Sequence, residues 1–278
     1  MNNRKKIGKD FKKDPLKEIE STKIKGVVYK YPGRVVILLT LKCVSDCSFC
    51  VRRWFINKEE SELSEMDINN IVDFISKNKE IKEMVISGGD PLLEYKKLKF
   101  FLKKIEKLDQ IKVLRIHTKL PISKPELINK DILKLFKKQK KTLYVSLHIN
   151  HINELNKKAV NIIKKIRETG VILYSQSVFI KGLNDSVDIL NDLFTKLIEL
   201  GIKPYYIYHC DKVKGLKKFI VPLDEEIRIM TELRKKVSGL AYPIHVMDTI
   251  NGKIPVPSDF WDFDKTKFRD FDDNLVNI

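Results

Sequence analysis

The sequence predicts an α/β fold, a parallel sheet or barrel built of βα units, and three observations carry that reading. Seven short β-rich runs alternate with amphipathic segments along the chain. Polar and glycine-bearing motifs follow the runs instead of preceding them. No short repeat or low-complexity linker divides the 278 residues, which at 43% hydrophobic can bury one full core.

The predicted strands are residues 35–39, 83–87, 113–117, 143–147, 171–178, 204–208 and 244–247. Between them, segments such as 67–77 and 154–169 space their apolar residues for helices, and Gly170 is a good stop for the second. The cysteines follow the first run, Ser87 to Asp90 the second, and His148 to Asn150 the fourth. Cys210 and Asp211 follow the sixth, and residues 248–253 the last. Parallel α/β folds place their chemistry at the C-terminal strand ends, so these motifs predict one composite site. Residues 1–28 are charged and weakly patterned and are expected to be a mobile or loosely docked leader. The barrel is expected over 29–257 and a short tail over 258–278.

The longest apolar runs, such as 35–41, are far shorter than the ~20 residues that cross a bilayer. The N-terminus lacks the apolar core of a signal peptide, so a cytoplasmic protein without membrane association is expected. The net charge of +17 comes mostly from scattered lysines, 45 of the 54 basic residues. Scattered charge without an aromatic platform predicts no specific nucleic-acid partner. It is compatible with an acidic protein partner.

Four cysteines in such a chain point to metal binding or catalysis, not disulfides. Cys43, Cys47 and Cys50 are spaced CxxxCxxC. Three thiolates this close can wrap three irons of a cubane and leave the fourth iron open. The alternatives are chance or a zinc site lacking one ligand. The tight spacing, Phe49 before the last cysteine and the position after the first strand favour a [4Fe–4S] cluster. Cys210 is expected to be a buried strand-end residue.

The triplet resembles the signature of the radical S-adenosylmethionine (SAM) superfamily. That resemblance implies SAM on the open iron, a reductant, and a 5′-deoxyadenosyl radical that abstracts a substrate hydrogen. Ser87-Gly88-Gly89-Asp90-Pro91 is similar to the superfamily's glycine-rich SAM turn, which assigns Gly88, Gly89 and Asp90 to SAM. Eight segments between Tyr29 and Pro257 resemble the lysine 2,3-aminomutase family: YPGRVVILLT, CVRRWF, SGGDPLL, LHINH, SQSVFIKGLND, KPYYIYHCD, VSGLAYP and NGKIPVP. This resemblance implies a partial open (β/α)6 TIM-like barrel and pyridoxal 5′-phosphate (PLP) as a second cofactor. The implied enzyme is an isomerase, an intramolecular aminotransferase that moves the α-amino group of L-lysine to C3.

Carried over by position, the resemblance implies that Lys253, in a loop after the last strand, binds PLP. Arg34 and Lys30 would reach the PLP phosphate, as would Lys119, which stands where the family has arginine. Gln176 and His148 would line the SAM side. Arg52 would clamp the substrate carboxylate with its bidentate fork, and Asp211 and Asp248 would receive the ε-ammonium. The loop at Gly252 is two residues shorter than in the family. Longer members carry a zinc-binding cysteine tail, but here Ser186 occupies one such position and no cysteine follows Cys210, so zinc is not expected. The short leader and tail and residues 211–215 resemble the branch acting on a lysine of elongation factor P. Two rivals from other classes are a non-catalytic iron–sulfur electron carrier or sensor, and a basic nucleic-acid binder. Reductive cleavage of SAM separates the first; salt-dependent binding would mark the second.

Overall fold

The structure, a computed structural model, describes residues 11–45, 47–57, 62–259, 267–269 and 274–277. Seven parallel strands make its centre: β3 (Arg34–Thr40), β4 (Glu83–Gly88), β5 (Val113–Thr118), β6 (Thr142–His148), β7 (Ile172–Val178), β8 (Lys203–Tyr208) and β9 (Ile244–Thr249). Antiparallel strands extend both ends, with β1 (Thr22–Ile24) and β2 (Val27–Tyr31) before β3 and β10 (Gly252–Pro255) after β9. The ten strands follow chain order in one open sheet. A separate hairpin pairs β11 (Lys267–Arg269) with β12 (Leu275–Asn277).

All seven predicted strands are present; β3 and β5 alternate buried with half-buried residues, so one face packs in the core while the other carries groups such as Arg115 and His117 to the cavity. Ile37, Leu39, Ile86, Leu114, Ile116, Val145, Leu147 and Ile207 are fully buried in the core. Each such side chain contributes about 1.5–3 kcal/mol by leaving water. The connecting helices are α1 (Glu65–Lys77), α2 (Tyr95–Ile105), α3 (Leu120–Ser123), α4 (Lys130–Lys137), α5 (Lys157–Arg167), α6 (Val187–Glu199) and α7 (Leu223–Lys236). Local chemistry sets their ends. Ser64 and Asp67 form a reciprocal capping box on α1, whose Ile68, Ile71 and Ile75 face the core. Helix α5 starts at Lys157, later than the expected 154, because Asn156 Oδ1 accepts from Lys158 N and Ala159 N at 3.0 Å each. Ser186 is the N-cap of α6.

Two expectations are corrected. From residue 11 on, the stretch expected to be a loosely docked leader is built into the fold: Val27 and Val28 are buried, β1 and β2 extend the sheet, and Lys12 bridges to Val213. Lys253 lies on strand β10, not in a loop, and pairs in register with Asp248. Among the described residues, no helix is long and apolar enough to cross a membrane.

Candidate active site

All the candidate residues line one cavity of about 280 Å³ at the C-terminal ends of the parallel strands. They are Cys43, Cys47, Cys50 and Arg52 after β3; Gly88, Gly89 and Asp90 at β4; Lys119 after β5; His148 and Gln176 on β6 and β7; Asp211 after β8; and Asp248, Lys253, Lys30 and Arg34 near the seam. The strands bring together residues as distant in sequence as Lys30 and Lys253.

The three cysteines of the triplet are unpaired and half-buried, whereas Cys210 is fully buried. Burial pushes all three thiols up, that of Cys47 to about 12, and Cys47 also feels the charges of Cys43 and Cys50. Among the described residues no three His, Cys, Asp or Glu side chains converge on a single-ion site. Cys43, Cys47 and Cys50 all line the cavity, and soft thiols are the ligand type an iron–sulfur cluster takes.

The glycine-rich turn is shaped by its neighbours. A Cβ on Gly88, at φ +125, would collide with the Thr40 carbonyl, and one on Gly89 with that of Lys42. The absence of side chains lets Gly89 N reach Thr40 O at 2.7 Å and Asp90 N reach Lys42 O at 2.8 Å, fixing the turn against the cysteine loop. The Asp90 carboxylate accepts from Thr118 Oγ1 and Lys119 N at 2.8 Å, Leu120 N at 2.9 Å and Leu92 N at 3.2 Å. Its carboxyl is pushed up to about 6 by burial, which outweighs these hydrogen bonds. The side chain expected to bind SAM is therefore spent on the scaffold.

Lys119 also departs from expectation. Its ammonium donates to Glu154 Oε1 at 2.8 Å and to the His148 carbonyl at 3.2 Å, and its charge acts on Cys47. It lies on the cysteine side of the cavity, paired with a carboxylate, which does not favour a phosphate role. His148, in register with Gln176, is held down to about 4 by burial and then by Lys119 and Arg52. Neutral imidazole is the state that environment selects.

At the opposite side, Lys253 Nζ donates to both oxygens of Asp248, at 2.6 and 2.8 Å, and sits 5.0 Å from the centre of the Tyr208 ring. The Asp211 carboxyl is pushed up to about 7, first by burial and then by Asp248, against the opposing pull of Lys253 and His209. Asp248 therefore holds the Lys253 ammonium, and Asp211 feels the charges of both. Lys30 donates to the Leu16 carbonyl, and the Arg34 guanidinium lies 4.3 Å over the Tyr31 ring.

Sequence reading missed Glu18, Tyr31, Arg115, His117 and Tyr208, which all line the cavity. Glu18 forms a two-pronged ion pair with Arg52, and Tyr31 holds the backbone of Lys253. Tyr31 lies within the YPGRVV segment and Tyr208 within KPYYIYHCD, so both carried a signal. Glu18 did not.

A cysteine-lined cavity at the mouth of an open parallel barrel defines the class, and the sequence matches the Radical SAM superfamily over residues 37–193. That domain implies a [4Fe–4S] cluster and SAM, and the cysteine wall fits them. The chain is 34% identical to L-lysine 2,3-aminomutase of Escherichia coli, over 85% of this chain and 69% of that one. It is 31% identical to a putative L-lysine 2,3-aminomutase of Aquifex aeolicus, over 88% of this chain and 66% of that one. The chain belongs to the lysine 2,3-aminomutase family of radical SAM proteins. It spans 66% and 64% of the length of the Aquifex relative and of one from Clostridium subterminale. A radical SAM methyltransferase from Sphaerobacter thermophilus shares the fold, with TM-score 0.57 and 16% identity over 80% of this chain and 68% of that one.

Proposed function

We propose that this chain is a PLP-dependent 2,3-aminomutase that converts L-lysine to β-lysine. The observation that carries the reading is the ammonium of Lys253 held by both oxygens of Asp248 in a cavity that Asp211 also lines. A desolvated ammonium is stable only with paired charge and hydrogen bonds, and this pocket supplies both. Lys253 would hold PLP, and Asp211 and Asp248 would then receive the substrate's ε-ammonium.

When bound, the SAM-loaded cluster supplies a hydrogen-abstracting radical, and PLP spreads the unpaired electron while nitrogen moves from C2 to C3. The protein's part is positioning. Arg52 holds the carboxylate end of lysine and the aspartates hold the ammonium end, which fixes the carbon chain between them. Lys30 and Arg34, on the Lys253 side, provide the phosphate cations. The fit to PLP rests on the donor set: the Lys253 amine lines the cavity together with the cations Lys30 and Arg34. His148 and Gln176 line the SAM side.

The test is anaerobic reconstitution with iron, sulfide, SAM and PLP, followed by assay on free L-lysine and on elongation factor P. Formation of β-lysine from free lysine supports the reading. Turnover only of lysine attached to elongation factor P would move the substrate to that protein. SAM cleavage without any amino shift, or preference for glutamate or alanine, would refute the aminomutase assignment.

A further inference from the structure

Glu18 grips one edge of Arg52, and the Nη1 of the other edge meets only Ser87 and Gly88, which line the cavity with it. Arg52 Nε and Nη2 donate to the two Glu18 oxygens at 2.7 and 2.6 Å. Its Nη1 makes only long contacts, 3.3 Å each, with Ser87 Oγ and the Gly88 carbonyl. A guanidinium presents its N–H groups in a rigid planar fork, so a carboxylate on the Nε side dictates where the Nη1–Nη2 side points.

Glu18 is itself held in place. Its N–H donates to Asp14 Oδ1 at 3.0 Å, its carbonyl accepts from Thr22 Oγ1 at 2.8 Å, and the neighbouring Ile19 N–H reaches Asp14 Oδ2 at 2.9 Å. The Leu16 carbonyl takes the Lys30 ammonium. Both side chains of the pair are mostly shielded, at 16% and 18% exposure. Burial alone would raise the Glu18 carboxyl, but Arg52, with smaller help from Lys30 and Lys253, holds it below its usual range.

We propose that Glu18 is a positioning residue for substrate recognition, aiming the free edge of Arg52 at the carboxylate of the amino-acid substrate. The proposal rests on the aminomutase reading. It makes the N-terminal segment a working part of the site, since the residue that orients the clamp comes from there.

The experiment compares L-lysine with 1,5-diaminopentane, which has both amines and no carboxylate. In reconstituted protein, Glu18→Gln keeps the side chain's shape and loses its charge. Calorimetric Kd for L-lysine is expected to rise roughly ten- to hundredfold, the weight of a charge-assisted hydrogen bond, while Kd for diaminopentane and the rate of SAM cleavage stay unchanged. Introduced into an Arg52→Lys background, Glu18→Gln should add no further loss. Equal weakening for both amines would assign Glu18 a merely structural role. Tighter lysine binding would show that it competes for the clamp. Either result, or no change at all, overturns the proposal while the aminomutase reading stands. Wild-type protein that binds neither amine would remove that reading and this proposal together.

Discussion

The phenol oxygen of Tyr31 accepts a hydrogen bond from the backbone N–H of Lys253 at 2.9 Å, linking residues 222 apart in sequence across the open side of the sheet. Strand β2 lies near one end of the strand order and β10 at the other, so this contact spans the seam. The same ring lies under Arg34 and against Gly252. Tyr31→Phe keeps the ring and leaves the Lys253 N–H without this partner. A loss of about 1 kcal/mol is expected, a fall in Tm of about 2–4 °C, together with weaker PLP retention in absorbance titrations. An unchanged Tm and PLP affinity would show that the seam does not depend on this bond.

The cysteine wall makes a sharp contrast. Cys43→Ala, Cys47→Ala and Cys50→Ala should each abolish reductive cleavage of SAM in anaerobic assays, with iron content falling in each. Cys210→Ala should retain both, because that thiol is fully buried against Val213 and Leu216, apart from the cavity lining. A triple variant of Cys43, Cys47 and Cys50 with full iron content would remove the basis of the cluster assignment.

For PLP, borohydride reduction of the loaded protein followed by peptide mass spectrometry should find the cofactor on Lys253. Lys253→Ala should lose that adduct yet keep its cluster and its SAM cleavage. It should also free Asp248, whose two oxygens now share the Lys253 ammonium. Labelling at a different lysine would overturn the assignment.

Asp211 gives the site its pH dependence. Its carboxyl is pushed up to about 7 by burial, with Asp248 adding to the effect, whereas an unfolded chain releases the proton near pH 4. Between those limits the folded state holds a proton that the unfolded state does not, so stability falls as pH rises from about 4 to 7. Asp211→Asn should reduce that slope in Tm measured against pH, most clearly between about 6 and 7, because Asp90, pushed up to about 6, adds its own slope below. A variant that kept the wild-type slope would place the titration elsewhere. On the same residue, removing one partner of a buried ammonium costs about 3–5 kcal/mol, so lysine turnover should fall by roughly two to three powers of ten. SAM cleavage should be unaffected.

The sequence by itself determined the parallel sheet and the cysteine wall. Both are written locally: a strand covered on both faces is a short apolar run, and three thiols that share a cluster sit within one loop. The family segments likewise located Arg52, Asp211, Asp248 and Lys253, and the strand ends gathered them into one cavity. Tertiary structure alone decided their partners. Strand β10 is four residues with two exposed positions and becomes a strand only by pairing with β9. Lys119 was readable as a cation, but the fold joins it to Glu154 beside Cys47. Glu18 is one acidic residue in a charged stretch until the docking of that stretch brings it to Arg52, 34 positions away. Ion pairs and single hydrogen bonds leave no periodic trace in a sequence, because each depends on where two distant backbones have been carried by the burial of everything between them.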